Sequence, residues 1–340
     1  MVSIKDIASA CGVSIATVSK ALNGHKDVGA ATRQAVLSKA KQMGYLPNSQ
    51  ARALKTNRTY NLGVLFAERS GSGLKQDYFS SILDSFKRKA ESSGYDITFI
   101  SGNAAYRNMT FYEHCVYRNV DGVLLACVDD FYDKRVTELI GSNIPLVSVD
   151  HIFEGRPAVV SDNCSGMKSL VTYITDMGHT KIAYIYGDDS FVTSERLRSF
   201  RETLDSLNIN VSERFVVQGI YHDPRKTELL VKELLSLPKK EQPTCIIVPD
   251  DFAALGAYNA AEELGLSVPD DISIAGYDGI MLSQLLRPKL TTVRQDTDRI
   301  GAEAADRLTA LIQKTVSDDE ATVIIESTLI KGGSVSERNR

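Results

Sequence analysis

The sequence has no pair of cysteines spaced as C-x-x-C; its five cysteines, at 11, 115, 127, 164 and 245, are odd in number and scattered. That excludes a disulfide framework and points to buried thiols in a reducing cytosol. The five histidines are isolated, and none has a metal-ligand spacing, so no metal and no cofactor is expected. No apolar run reaches membrane-span length. The opening "MVSIKDIASACGVS" lacks a basic stretch followed by an apolar one, so no secretory signal is expected. There is no Walker loop, no G-x-G-x-x-G after a strand and no G-x-S-x-G, which leaves an enzyme without its usual machinery. Cys164, near a helix start, has no His–acid partner in the neighbouring sequence and is expected to be a buried structural thiol.

Acidic residues are nearly absent from one region. Residues 1–59 hold nine Lys or Arg and two acids, Asp6 and Asp27, a charge of +7; the remaining 281 residues carry −11. A basic head on an acidic body implies that only the head meets a polyanion. Within the head, "VSIATVSKALN" has no acid at all. "IKDIASACG" places Ile4, Ile7, Ala8 and Cys11 on one helical face, and Gly12 can end that helix. Ser14 can cap a second helix whose inward residues are Val18, Ala21 and Leu22. Ile15, Ala16, Thr17, Ser19 and Lys20 then face outward. A third helix follows Val28, with Ala35, Val36, Ala40 and Met43 as its apolar residues and Gly44 closing it. This is the helix-turn-helix plan, whose second helix enters the major groove. Hydroxyls can bond phosphates, Lys20 can reach guanine, and Ile15 and Ala16 can pack on thymine methyls. "SQARALK", after Pro47, reads as a short hinge helix that folds only when docked on DNA.

The body, from about residue 60, alternates strand-like runs ("NLGVLF", "DITFIS", "DGVLLAC", "PLVSVD", "KIAYIYG", "FVVQGI", "TCIIVP", "ISIAGYD") with amphipathic segments. That pattern predicts parallel sheets covered by helices on both faces. About ten strands exceed one ordinary sheet of about 5–6, so two subdomains are expected, with a ligand between them at the carboxyl ends of the strands. Asp150, Asp250, Asp251 and Asp278 follow strands, as does Tyr221. Asp77, Tyr78 and Phe79 open the first body helix, and Arg196 lies near the start of another. Carboxylates, one Arg and flat rings suit a neutral polyhydroxyl ligand. For any single Asp, a helix cap is the simpler role.

The head and hinge, "SIKDIASACGVSIATVSKALNG" and "VGAATRQAVLSKAKQMGYLPNSQARALKTNRTYNLGVL", resemble the lactose/galactose repressor (LacI/GalR) family. So do "VDGVLLA", "IPLVSVD", "VVSDNCSGMKSLVTYITDMGHTKIAYI", "ERLRSFRETL", "DDFAALGAYNAAEELGLSVPDDISIAGYDG" and "LTTVRQD" in the body. The resemblance implies an α/β protein with a helix-turn-helix head and hinge helix, then two doubly wound parallel-sheet subdomains like a periplasmic binding protein. Its expected divisions are 1–59 for head and hinge, 60–160 plus about 291–320, 161–290 plus about 321–332, and a flexible tail at 333–340. It implies a DNA face of Ser3, Ser14, Ile15, Ala16, Thr17, Ser19, Lys20, Asn23, Tyr45, Asn48, Ala51 and Leu54, with Leu54 as a minor-groove wedge. It implies an effector site of Asp77, Tyr78, Phe79, Asp150, Arg196, Tyr221, Asp250, Asp278 and Gln295.

The function implied is a cytoplasmic DNA-binding repressor on a pseudo-palindromic operator, with a sugar effector. "DYF" also resembles the purine-type members of the family, and a solute-binding protein would share the body but not the head. The last stretch, "KGGSVSERNR", shows no heptad, so assembly is expected to stop at a homodimer. Ser199 and Asp250 depart from the glycine and asparagine usual in the family, and Lys20 from its arginine.

Overall fold

The computed structural model describes residues 2–46, 58–67, 73–104, 107–128, 130, 133–316 and 322–338, without the side chains of 103, 104 and 107. The hinge residues Asn48, Ala51 and Leu54 lie outside the described residues. The chain divides into two compact units, Met1–Thr59 and Tyr60–Arg340.

In the first unit, α1 (Ile4–Cys11) starts at a capping box. The Ser3 hydroxyl accepts the Asp6 amide while the Asp6 carboxylate accepts the Ser3 amide. Gly12, at φ 66°, turns the chain out of the helix, a conformation in which a side chain would be strained. Ser14 then caps α2 (Ile15–Leu22) by accepting the Thr17 amide at 3.0 Å. α3 (Ala30–Gln42) closes the bundle. Ile7, Ala8, Val18, Ala21, Val36 and Ala40 form its core. Ala35 is exposed, so the apolar face of α3 is narrower than its sequence indicates.

The second unit runs β1 (Asn61–Ala67), α4 (Asp77–Ser92), β2 (Asp96–Ile100), the short pair β3 (Asn103–Ala104) and β4 (Arg107–Asn108), α5 (Phe111–Arg118), β5 (Gly122–Val128), α6 (Lys134–Ile140), β6 (Leu146–Val149) and β7 (Ala158–Ser161). It continues through α7 (Asn163–Asp176), β8 (Ile182–Tyr186), α8 (Phe191–Ser206), β9 (Val216–Gln218), α9 (Pro224–Leu235), β10 (Cys245–Ile247), α10 (Ala254–Glu263), β11 (Ser273–Ala275) and α11 (Met281–Leu285). It ends with β12 (Thr292–Gln295), α12 (Thr297–Gln313), β13 (Val323–Ile325) and β14 (Ser327–Ile330).

Two parallel sheets result, ordered β13-β7-β6-β5-β1-β2 and β11-β10-β8-β9. Their inner strands, β5, β6, β7 and β10 among them, are buried on both faces, which explains why these read as unbroken apolar runs. Along β5, Leu124 and Ala126 join one core layer while Val123 and Leu125 join the other. Along β8, Ala183 and Ile185 face one side and Ile182 and Tyr184 the other. This period of two is the strand geometry itself. α9 and α10 pack very closely: a Cβ on Gly256 would lie 1.9 Å from the Pro224 carbonyl oxygen, so only glycine fits there.

The chain's end departs from expectation twice. β13 falls in the stretch assigned to the second subdomain, yet it pairs with β7 and completes the edge of the first sheet. β7 would otherwise present an open row of backbone donors and acceptors. Residues 333–338 are not a free tail: Ser334 and Val335 are buried, the Ile274 amide donates to the Ser334 carbonyl, and the Arg338 amide donates to the Met177 carbonyl. An apolar Val335 has a core to enter, beside Met167 and Tyr184.

Candidate ligand cavity and nucleic-acid interface

A cavity of about 460 Å³ opens where the strand ends of the two sheets meet. Its walls come from loops that follow strands, as a doubly wound fold dictates. Ala126, Cys127 and Val128 end β5; Asp150 follows β6; Asp188, Asp189 and Ser190 follow β8; Tyr221 and His222 follow β9; Asp278 follows β11; Gln295 ends β12. Tyr78 and Phe79 enter from the first turn of α4, and Arg196 from α8.

Three lining residues other than glycine, Asp150 (φ 56°), His222 (φ 56°) and Asp278 (φ 102°), have left-handed backbone. Such conformations cost roughly 1–3 kcal/mol each and cluster where a protein holds a ligand.

Polar groups run across the cavity as one connected set. The Tyr78 hydroxyl lies 2.7 Å from Asp150 Oδ2 and 3.2 Å from Gln295 Oε1. Gln295 Nε2 donates to Asp278 Oδ1 at 2.7 Å, and that oxygen lies 3.6 Å from Arg196 Nη2. Arg196 also donates through Nε to Asn163 Oδ1 at 2.8 Å, and its guanidinium stands 3.6 Å from the centre of the Tyr277 ring. A buried guanidinium with a carboxylate, an amide and a ring face around it keeps its charge. Burial pushes the Asp278 carboxyl up to about 6, against the pull of Arg196 in the other direction. Burial likewise raises Asp150, while the Tyr78 hydroxyl favours its charged form. Burial raises the Tyr221 hydroxyl too, which lies 2.9 Å from Thr193 Oγ1.

Of the residues assigned to this site from sequence, Tyr78, Phe79, Asp150, Arg196, Tyr221, Asp278 and Gln295 line the cavity. Asp77 and Asp250 are not among its lining residues. Asp77 is exposed on the first turn of α4, where a carboxylate favours the helix N-terminus. Asp250 is fully buried; its oxygens accept the amides of His222 and Ala253, each at 2.8 Å, so it braces the loop that carries His222. Asp251 is similarly engaged by the Thr292 hydroxyl and the Ile280 amide. Sequence reasoning missed Gln76, Asp188, Asp189, Ser190 and His222. Asp188 and Asp189 carry the signal used for the others, since they directly follow "KIAYIYG". Cys164 is half-buried, with Sγ 2.9 Å from Glu195 Oε2, and burial together with that carboxylate pushes its thiol up to about 12. It therefore stays protonated and unreactive.

In the first unit, α2 presents Ile15, Ala16 and Lys20 to solvent, with Ile15 49% exposed. Thr17 and Ser19 are half-buried; the Thr17 hydroxyl lies 2.8 Å from that of Ser14, and Asn23 Nδ2 donates to the Ser19 carbonyl. Lys20 pairs with Asp27 at 2.5 Å. Both partners are about half exposed, so the pair is weak and Lys20 can exchange Asp27 for a phosphate or a base. Ser3 is occupied in the cap of α1, and Tyr45 leans on the bundle core. Among the described residues no cluster of His, Cys, Asp and Glu could hold a metal ion, and no helix is long and apolar enough to cross a membrane.

A helix-turn-helix unit followed by a two-sheet body with a polar cavity defines a DNA-binding regulator that responds to a small molecule. Comparison with known proteins agrees. Residues 3–48 match the model for bacterial regulatory proteins of the lacI family, and residues 171–335 match the periplasmic binding protein-like domain. The HTH-type transcriptional repressor PurR of Edwardsiella ictaluri is 30% identical over 99% of this chain and 98% of its own. The probable HTH-type transcriptional repressor ExuR of Bacillus subtilis is 30% identical over 96% of each. Among solved structures, the lac repressor dimer bound to operator and the anti-inducer ONPF superposes with a TM-score of 0.82, at 25% identity over 98% of this chain and 99% of that one. The chain belongs to the LacI family of transcriptional regulators.

Proposed function

We propose that this regulator represses carbohydrate-utilisation genes. In this reading it binds a pseudo-palindromic operator as a homodimer and is controlled by a small sugar held in the cavity. The observation that carries the sugar is the lining itself. Asp150, Asp278 and Gln295 offer acceptors to hydroxyls, Arg196 and Gln295 offer donors, and Tyr78, Phe79 and Tyr221 offer ring faces to C–H groups. The lac repressor relative, seen with operator and an anti-inducer, supports pairing DNA with a small ligand.

The allosteric step needs an effector with different affinity for two arrangements of the body. The set Asp150–Tyr78–Gln295–Asp278–Arg196 is the part of the body such a ligand would rearrange, because it joins residues after both sheets. On the DNA side, Ile15, Ala16 and Lys20 read bases, while Ser14, Thr17, Ser19, Asn23 and Tyr45 contact the backbone. Asn48, Ala51 and Leu54 belong to the hinge.

A second reading, a purine-type effector, is favoured by the edge-packed Tyr78 and Phe79 rings, 5.1 Å apart, and by PurR relatives. Melting curves with a panel of sugars and purines decide between the two. A ligand at a hundred times its Kd stabilises by about 2.7 kcal/mol, which a melting curve resolves. Stabilisation by purines and by no sugar would replace the sugar reading. Light scattering checks the dimer.

A further inference from the structure

Residues 1–59 hold two acids, and each has a defined place. Asp6 is tied into the cap of α1, where it accepts the amide and the hydroxyl of Ser3. Asp27 lies in the loop between α2 and α3. Its Oδ2 accepts the Lys20 ammonium of α2 at 2.5 Å, although Lys26 is its neighbour in sequence. The loop is pinned around it. The His25 amide donates to the Lys20 carbonyl at 3.0 Å, the Arg33 guanidinium donates to the His25 carbonyl at 2.7 Å, and Val28 packs against the head core. The hydrogen bond from Lys20 holds the Asp27 carboxyl below the usual carboxylate range, so the acid stays ionised at neutral pH. A fixed negative charge one hydrogen bond away from the side chain that meets DNA opposes binding, because every phosphate repels it.

Building on the proposed base-reading role of Lys20, we infer that Asp27 is a specificity-determining residue: it lets Lys20 act on guanine and keeps it from acting on phosphate. A lysine ammonium has three donors; one on Asp27 leaves two, and a guanine edge shows two acceptors, O6 and N7, in the major groove. Lys20 therefore meets guanine without leaving Asp27. A phosphate meets a pair that is already neutral. Drawing Lys20 away to it gives up one ion pair for another and leaves Asp27 bare beside the DNA backbone. The head thus holds DNA of the wrong sequence more weakly than its charge would allow, while its hold on a guanine-bearing site is kept. Specificity is a difference of affinities, and weakening the wrong complex raises it as surely as strengthening the right one.

The test measures Kd by fluorescence anisotropy on the full chain with two duplexes of equal length. One is selected by the parent from a randomised pool, and the other is a shuffled version of it. The parent, Asp27→Asn, Lys20→Met and the double variant are compared. Asp27→Asn keeps an acceptor of similar shape and removes the charge. It should bind the shuffled duplex about three- to tenfold more tightly, from two exposed pairs in a dimer, and the selected duplex more tightly by about twofold or less. Its salt slope on the shuffled duplex should steepen by about 0.9 per head, one phosphate each. In the Lys20→Met background the same change should act alike on both duplexes and leave the slope unchanged, so the loss of discrimination appears as coupling between the two residues.

Equal tightening on both duplexes overturns the inference and leaves Asp27 as a general repulsive charge, as does a loss of discrimination that is the same with Met at position 20. Unchanged binding in Asp27→Asn overturns it too, and so does weaker binding of the selected duplex, which would make Asp27 a support for Lys20 and not a restraint. A Lys20→Met protein that separates the two duplexes as well as the parent overturns the base-reading role of Lys20, and this inference with it.

Discussion

Replacing Asp278 with Asn removes one charge from the cavity and keeps the side chain's outline. In the parent, Asp278 Oδ1 accepts from Gln295 at 2.7 Å and faces Arg196 at 3.6 Å, so it is fixed before any ligand arrives. A hydrogen bond to a charged group contributes about 1.5–3 kcal/mol, against about 0.5–1.5 for a neutral one. The loss for one or two ligand donors is therefore roughly 1.4–2.8 kcal/mol, a ten- to hundredfold fall in effector affinity.

The pH dependence follows from the same residue. A hydroxyl donor prefers the carboxylate, and burial has moved that carboxyl from 3.8 up to about 6. Effector affinity should thus climb as pH rises through about 6, and Asp278→Asn should lose the climb. Stability runs the other way. Because the folded value is raised, the stabilisation this group gives is complete below its unfolded value and is lost as pH rises through about 6. Effector affinity measured between about pH 5 and pH 7 reads the first effect, and urea melts over the same range read the second. Operator binding without effector is the control, since the head is a separate unit. Parent-like affinity, or a parent-like pH slope, would remove Asp278 from the effector site.

Operator binding should depend steeply on salt, because the +7 on residues 1–59 neutralises phosphates. A slope near −0.9 per contact, with roughly six or more contacts in a dimer, is expected, and a slope of one or two contacts would count against head-mediated binding. Leu54→Ala should weaken operator binding and leave effector binding unchanged, if an apolar wedge offsets the few kcal/mol of unstacking; band-shift titration tests this. Gly256→Ala should destabilise the body by about 1–3 kcal/mol in urea melts, because its Cβ would collide with the Pro224 carbonyl.

The head was legible because its signals are local. Ser14 caps, Gly12 turns, and Val18 and Ala21 face inward within a few residues of each other. The cavity was legible in part, through the rule that ligands meet strand ends. That rule found Asp150 and Asp278, but an Asp at a strand end serves equally well as a loop brace. Only the partners of Asp250, the amides of His222 and Ala253, separate the two roles. His222 was missed although it shares the strand-end signal of Tyr221 beside it; its backbone is left-handed, and Asp250 accepts its amide from across the loop. The strand β13 was misplaced for a similar reason. Three residues give little pattern, and their partner β7 lies some 160 positions earlier.

That pairing sets an order on how the protein is made. As the chain leaves the ribosome, β1, β2, β5, β6 and β7 emerge together, but the strand that covers β7 and the helix α12 that packs on α4 come only after the whole second sheet. Until residue 325 is free, the first sheet has an uncovered edge of four buried-type residues, Ala158–Ser161. Folding must therefore wait on contacts of high sequence separation, which are slow to form and leave such edges open to mispairing. Neither half of the body is a continuous stretch that could be cut out and expressed alone. Fragments ending near residue 160 should aggregate, whereas fragments that stop at residue 59 carry the complete head core.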